Sequence, residues 1–258
     1  MWDIKPLNVG TLFLTKVGKR CVERTPISDA GVISGIPCIV WLLTNQQNGR
    51  KMLVDAGPSV DPERDSILHG KIERKPEQQL KYVLAQQDTE LSEIDTVILT
   101  HLHWDHMLGV LELPWAKVIV QKKELTYAVA PLALEYASYE LNDPSQPPPF
   151  LRFLSQIEVV DGDCQFEKDI RLIPLPGHTP GSQGVYIQSS IGKVLLTGDL
   201  FDSYENLRRK TPTCLYSSLE EFHSSLDKVL QLEKIEQAII FPGHDYEVWK
   251  ELQRRERL

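Results

Sequence analysis

Short apolar runs broken by glycine, proline and polar turns set the rhythm of this chain. Thr11-Leu12-Phe13-Leu14 and Cys38-Ile39-Val40-Trp41-Leu42-Leu43 read as strands, and the polar turn Asn45-Gln46-Gln47-Asn48-Gly49 leads into a third at Met52-Leu53-Val54. The pattern is that of a meander. The period then lengthens: Pro76 suits a first helical position, and Leu80, Val83 and Leu84 fall on one face of a helix expected to end near Gln87. That helix would cover the sheet just before the next buried strand, Thr96-Val97-Ile98-Leu99-Thr100.

The second half repeats the plan of strands followed by a covering helix. Ser218-Leu219-Glu220-Glu221 fits a capping box, and Leu219, Phe222, Leu226, Val229 and Leu230 form an apolar stripe at helical spacing. Between the halves, Glu124 to Glu140 is expected to be helical, carrying Tyr127, Tyr136 and Tyr139. The proline-rich run Asn142-Asp143-Pro144-Ser145-Gln146-Pro147-Pro148-Pro149 is expected to be a stiff loop. The segment from Glu124 to Phe150 reads as a surface elaboration, with a lid or a homodimer contact as the alternatives. No internal repeat is visible, and residues 1–258 are expected to form a single domain with a large core.

Composition narrows the partners. Lys and Arg total 28 against 36 Asp and Glu, a net charge of -8, and the basic residues cluster only at Arg208-Arg209-Lys210 and Arg254-Arg255-Glu256-Arg257. Such a chain offers no basic face for a phosphate backbone, so no nucleic-acid partner is expected. Cys21, Cys38, Cys164 and Cys214 lack C-x-x-C spacing and the density of a disulfide scaffold, which points to free thiols in a reducing compartment. The start Met1-Trp2-Asp3-Ile4-Lys5-Pro6 has no signal-peptide pattern, and no run approaches the roughly 18 apolar residues that span a bilayer. A cytoplasmic protein with no membrane partner is the expectation.

The chemistry concentrates in His101-Leu102-His103-Trp104-Asp105-His106, directly after the strand at Thr96–Thr100. Imidazole nitrogens and carboxylate oxygens are the donors that borderline cations such as zinc prefer. So many donors so close would repel one another or waste hydrogen bonds without a cation. His178, Asp199 and His244 each end another apolar segment, and each follows a glycine that permits a tight turn or close backbone approach. If the fold gathers those strand ends at one edge, five histidines and two aspartates suffice for two ions. His69 and His223 match no ligand position and are expected to serve structural hydrogen bonds.

The motif His101-x-His103-x-Asp105-His106, followed in order by His178, Asp199 and His244, resembles the metallo-β-lactamase superfamily of metal-dependent hydrolases. The likeness runs from Leu53-Val54-Asp55-Ala56-Gly57 to Gly243-His244-Asp245. It implies a four-layer αβ/βα sandwich. It also implies that His101, His103 and His178 hold one divalent ion, Asp105, His106 and His244 a second, and that Asp199 bridges them with a shared hydroxide as nucleophile. Zinc is the expected metal, with iron, manganese or cobalt as alternatives. Asp55 reads either as an ordinary turn residue or as the family's aspartate that bonds a ligand histidine without touching metal.

Within the superfamily, Asp199 disfavours lactamases with a bridging cysteine, His103 disfavours the di-iron redox branch, and no extra basic domain supports a nuclease. The remaining pattern is similar to the N-acyl homoserine lactone lactonases, which implies a small lactone or ester substrate opened by attack on its carbonyl. Asp105 or Asp199 would then shuttle the proton, and Trp104 would wall an acyl pocket unless it merely packs in the core. The chain departs from these lactonases where they place a tyrosine three residues after the bridging aspartate: Asp202 stands there, and Tyr204, two residues on, is the candidate replacement. Phe201 reads as a pocket or core residue. A thioester or other ester hydrolase of the glyoxalase II kind and a mononuclear iron persulfide dioxygenase are the alternative activities. A non-catalytic binding module on this fold would have lost ligands, whereas all seven are retained.

Overall fold

Alternation along the strands sorts the apolar side chains into three layers in the computed structural model, which describes residues 1–15, 33–143 and 145–256. The meander is β1 (Trp2–Thr15), β2 (Ile33–Asn45) and β3 (Lys51–Val54), antiparallel in turn. A short β4 (Ile72–Glu73) pairs with β1, and β5 (Ile94–Ile98), β6 (Lys117–Gln121) and β7 (Ile157–Val160) extend the sheet from β3 in parallel. The other half runs antiparallel through β8 (Cys164–Glu167), β9 (Ile170–Pro174), β10 (Gln183–Ser189) and β11 (Gly192–Leu196), with β12 (Ile239–Phe241) parallel to β11. A single register pair, Trp2 with Ser189, joins the halves by backbone pairing.

Strand side chains point alternately to opposite faces, and both halves use this to bury two layers. In β3, Met52 and Val54 join Val185, Val194 and Phe241 in a central layer, while Leu53 faces outward with Leu80, Leu84 and Val97. In β11, Val194 and Leu196 face the centre, and Leu195 faces outward with Phe222, Leu226 and Val229. The resulting order is helix, sheet, sheet, helix, the sandwich expected from the motif. Each fully buried aliphatic or aromatic side chain contributes roughly 1.5–3 kcal/mol, so the two faces of each sheet are similarly held.

The helices follow local chemistry closely. Asp61 caps α1 (Pro62–His69) by accepting from Glu63 N and Arg64 N. The helix expected from Pro76 to Gln87 is broken in two: a single 3-10 turn, Pro76–Gln78, is followed by extended Gln79, and only then by α2 (Leu80–Ala85). The cause is Gln78, whose side chain accepts from Lys75 N and donates to Asn8 on β1, tying the first turn to the sheet. A short α3 (Trp104–Met107) carries the end of the histidine motif. The helix expected over Glu124 to Glu140 survives only as α4 (Lys122–Val129), because Pro131 removes a donor and turns the chain before a 3-10 turn at Ala133–Glu135. Beyond it, α5 (Tyr204–Arg209), α6 (Leu219–Glu236) and α7 (Glu247–Glu256) complete the set. Ser218 caps α6 through Glu221 N as expected, while the Glu221 carboxylate engages Lys123 rather than closing the box.

Among the described residues no helix is long and apolar enough to cross a membrane. Cys38, Cys164 and Cys214 form no disulfide, and Cys21 lies outside the described residues.

The turn after Pro131 stores a titratable defect. Glu135 is fully buried, and neither carboxylate oxygen finds a hydrogen-bond partner among the described residues. Burial pushes its carboxyl up to about 7 from an ordinary 4.5. Because the folded chain holds this proton more tightly than the unfolded chain, the stabilisation is fully present below the unfolded value and fades as pH rises through about 7. Glu135→Gln should therefore raise the thermal midpoint at pH 8.5 and leave it nearly unchanged at pH 4.5; an equal shift at both would contradict this reading.

Candidate metal centre

Four strand ends deliver the donors to one edge. His101 follows β5, His178 follows β9, Asp199 follows β11 and His244 follows β12. All three preceding glycines are required by contact. A side chain on Gly177 would come within 2.7 Å of Phe222 Cα, one on Gly198, which sits at φ +53°, within 2.8 Å of Thr100, and one on Gly243 within 2.7 Å of Asp199 Oδ1. Of these, Gly198 is the one whose missing Cβ lets loops of the two halves touch. The backbone of 201–202 completes the edge, with Phe201 O accepting from Gly243 N and Asp202 O from His244 N, both at 2.9 Å.

All seven expected ligand residues are buried and converge. His101, His103 and His178 present donor atoms within 4.8 Å of one another, as do His101, His106 and Asp199. His103 Nδ1 and His178 Nε2 are 3.0 Å apart. Asp199 Oδ2 lies 3.6 Å from His178 Nε2, while its Oδ1 lies 3.2 Å from His106 Nε2 and 3.1 Å from His244 Nε2. Asp105 Oδ2 faces His106 Nε2 and His244 Nε2 at 3.7 and 3.8 Å. Asp199 thus sits between the two sets that the motif resemblance implied.

Outer contacts fix which nitrogen of most rings faces inward. His244 Nδ1 donates to Pro37 O at 2.8 Å and His178 Nδ1 to Leu215 O at 2.7 Å, since a carbonyl can only accept. Asp55 Oδ2 accepts from His106 Nδ1 at 2.8 Å, and its Oδ1 accepts from Thr100 N. Thr100 Oγ1 in turn bonds both Asp55 and His101 Nδ1. Asp55 therefore orients ligand histidines through these bonds and is more than a turn residue, although its φ of 60° also makes the turn.

The inward atoms are left over. Nε2 of His101, His103 and His106 and Oδ1 of Asp199 are buried with no hydrogen-bond partner among the described residues. Imidazole and carboxylate donors around such a gap fit a divalent cation. The electrostatics divide accordingly. Burial, with the imidazoles nearby, holds His101 and His103 well below the ordinary histidine value, and burial lowers His178. Burial also opposes charge on His106 and His244, but the Asp199 carboxylate and its neighbours outweigh it, raising His106 strongly and His244 to about 9. Burial would raise Asp199, yet His244 and His106 together hold it well below the carboxylate range.

A buried glutamate straps the two ligand loops together. Glu124 Oε1 accepts from Leu102 N at 2.9 Å and Tyr139 OH at 2.8 Å, and Oε2 accepts from Thr179 Oγ1 at 2.6 Å. Leu102 lies between two ligand histidines and Thr179 follows a third. The Tyr139 ring packs edge-on against His103 at 4.8 Å. Gly181 approaches the Glu124 backbone so closely that a Cβ there would fall 2.1 Å from Glu124 N. Sequence reading missed this residue because one glutamate at the start of a helix looks like any solvated charge.

The expected substrate residues fare unevenly. Trp104 is nearly buried and stacks face to face on His69, centroids 4.0 Å apart, while His69 Nε2 bonds Glu140 at 2.8 Å, the structural role expected for it. His69 also lines a cavity of about 700 Å³ with Arg64, Leu68, Glu140, Pro147 and Arg152, so the proline-rich run walls a cavity rather than simply covering the core. Phe201 is wholly buried beside Phe222 and belongs to the outer core, not to a pocket. Tyr204 is not brought to the ligands. Its N-capped position at the start of α5 turns the ring into a cleft with Glu251 and Arg255 of α7 and Ile239 and Ile240 of β12, where burial and the nearby Glu251 carboxylate push its hydroxyl well above the ordinary tyrosine value. His223 is exposed on α6 against Phe222.

The family profile of the metallo-beta-lactamase superfamily matches residues 34–244. The chain belongs to that superfamily. Among its relatives is the N-acyl homoserine lactonase AiiA of Bacillus thuringiensis subsp. kurstaki, 26% identical over 253 residues, covering 93% of this chain and 95% of AiiA. A solved structure of a B. thuringiensis AiiA mutant with N-decanoyl-L-homoserine bound at the active site superposes with TM-score 0.77 at 25% identity, covering 96% of this chain and 95% of that one. AidC, described as a dizinc quorum-quenching lactonase, shares the fold at TM-score 0.70 and 17% identity, covering 94% of this chain and 87% of AidC. The superfamily membership and the lactonase relatives agree with the motif reading.

Removing the Glu124 strap should loosen this superfamily's site without touching a ligand. Glu124→Ala leaves Leu102 N and Tyr139 OH unpaired and leaves Thr179 Oγ1 with Ser182 Oγ alone, at about 1–3 kcal/mol for each unpaired buried donor. Chemical denaturation should show a loss of about 3 kcal/mol or more, and chelator competition a metal affinity weaker by roughly tenfold or more. Unchanged stability and unchanged affinity would show that the strap does nothing.

Proposed function

We propose that this chain is a dinuclear metal-dependent lactonase that opens the ring of N-acyl homoserine lactones. The observation that carries the reading is the position of Asp199, with one imidazole set on each side and its Oδ1 buried and unpaired. His101, His103 and His178 would hold one divalent ion, and Asp105, His106 and His244 the other, with Asp199 shared. Zinc is the preferred metal for such donors, and AidC, named as dizinc, supports it. When bound, paired divalent ions make water acidic enough to attack at neutral pH and polarise a carbonyl.

The chain's own groups supply positioning and proton transfer. Asp105 and Asp199 are the carboxylates placed to take a proton from the attacking water and return it to the departing ring oxygen. A new carbonyl C–O bond forms, the ring C–O bond breaks, and the product carries a free carboxylate and hydroxyl. The stacked Trp104 and His69 shield the site on one side. The cavity of about 700 Å³ beyond His69 has the volume of a small-molecule pocket. The AiiA relatives, named as N-acyl homoserine lactonases, support this substrate class. Tyr204 has no part in the scheme, because its hydroxyl lies against α7.

Proton release from hexanoyl- and decanoyl-homoserine lactones by the zinc-loaded protein is the test. Ready acid release, reduced roughly 10²-fold or more by Asp199→Ala, is the expected result. A protein carrying two ions per chain that opens neither lactone would overturn the substrate and redirect the search to thioesters and other esters.

A further inference from the structure

Cys38 occupies an unusual place on β2. It directly follows Pro37, whose carbonyl accepts from His244 Nδ1 at 2.8 Å. The β1–β2 register jumps from Asn8 opposite Ile39 to Thr11 opposite Pro37, so β1 bulges by one residue opposite Cys38, while β2 keeps its alternation and turns Cys38 to the same face as Ile36 and Val40. The sulfur of Cys38, an oxygen of Asp105 and a ring nitrogen of His244 lie within 4.8 Å of one another. Cys38 is 1% exposed. His106 Nε2, 3.7 Å from Asp105 Oδ2 and buried without a hydrogen-bond partner, faces the same space.

We propose that Cys38 is a sulfur ligand of the ion held by Asp105, His106 and His244. The inference rests on the dinuclear reading and adds a donor to one of its two positions. Zinc binds sulfur at about 2.3 Å and nitrogen or oxygen at about 2.0–2.2 Å, so donors at tetrahedral angles on one ion are about 3.3–3.7 Å apart. The cluster, with its donor atoms within 4.8 Å of one another, reaches that geometry by side-chain rotations that close its longest separation by about 1 Å. On binding, the thiol proton leaves to solvent and the sulfur lone pair enters the ion's coordination shell. A thiolate makes this position favour soft or borderline cations such as cadmium, zinc and cobalt over manganese or magnesium, whereas the set around His101, His103 and His178 has no sulfur. The competing role for Cys38 is that of a small apolar filler among Val9, Val40 and Ala56 of its core layer.

Cobalt(II) distinguishes the two roles. The chain loaded with two cobalt ions should absorb in the near ultraviolet from sulfur-to-cobalt charge transfer. Both Cys38→Ser, which keeps the size, and Cys38→Val, which keeps the apolar packing, should lose that band while still binding cobalt. The chelator-resistant preference for cadmium over manganese should fall in the same variants by roughly tenfold or more. Two bound cobalt ions without the band in the parent chain, or a band that survives both substitutions, would overturn the role of Cys38 and leave the dinuclear reading intact. Failure of the parent chain to bind a second ion would overturn both.

Discussion

Repulsion among inward-facing lone pairs is the constraint on which this structure turns. Five imidazoles and two carboxylates share one buried recess, and four of their polar atoms have no hydrogen-bond partner among the described residues. An unsatisfied buried polar group costs about 1–3 kcal/mol, so a cluster left empty works against folding. Divalent cations turn the same lone pairs into bonds. Most of the surrounding architecture keeps those lone pairs inward. Pro37 O, Leu215 O, Asp55 and Thr100 each bind the far nitrogen of a ring, so that rotation or a change of tautomer would break an outer bond.

The sandwich is what lets two distant parts of the chain meet that constraint. One half brings His101, His103, Asp105 and His106 at the end of β5, and the other brings His178, Asp199 and His244 at the ends of β9, β11 and β12. Strand pairing across the halves is limited, among the described residues, to Trp2 with Ser189. Alignment at the site depends on other contacts: the shared central layer, the backbone bond from Gln183 N to Thr100 O, the Gly198 contact with Thr100, and the Glu124 bonds to Leu102 and Thr179. Glu124 is useful in this position because one carboxylate accepts from several donors at once, and no neutral side chain of that size does so.

What the sequence made legible, and what it hid, follows from the range of the interactions. The convergence of His101, His103, Asp105, His106, His178, Asp199 and His244 could be read because each is marked locally, by clustering in residues 101–106 or by a glycine and an apolar run just before it. The layered fold could be read for a similar reason, since alternation is a local pattern. Asp55 was half legible: its turn was visible in the residues, while a bond to a histidine came only from the family resemblance, because the partner, His106, lies 51 residues away. Glu124 and Cys38 meet their partners through long-range contacts with no local mark. Tyr204 was misplaced because position along the loop from Asp199 says nothing of which way a helix N-terminus turns its first side chain. The helix end before Pro131 was visible in the sequence, since a proline there removes a donor.

The central claim is that Asp199 stands between two ions. Anomalous diffraction from crystals of the zinc-loaded protein, collected at the zinc edge, tests it most directly. The account requires two peaks flanking the Asp199 carboxylate, about 3.5–4 Å apart, one against His101, His103 and His178 and one against Asp105, His106 and His244. A single peak, or two peaks with Asp199 touching neither, would contradict it.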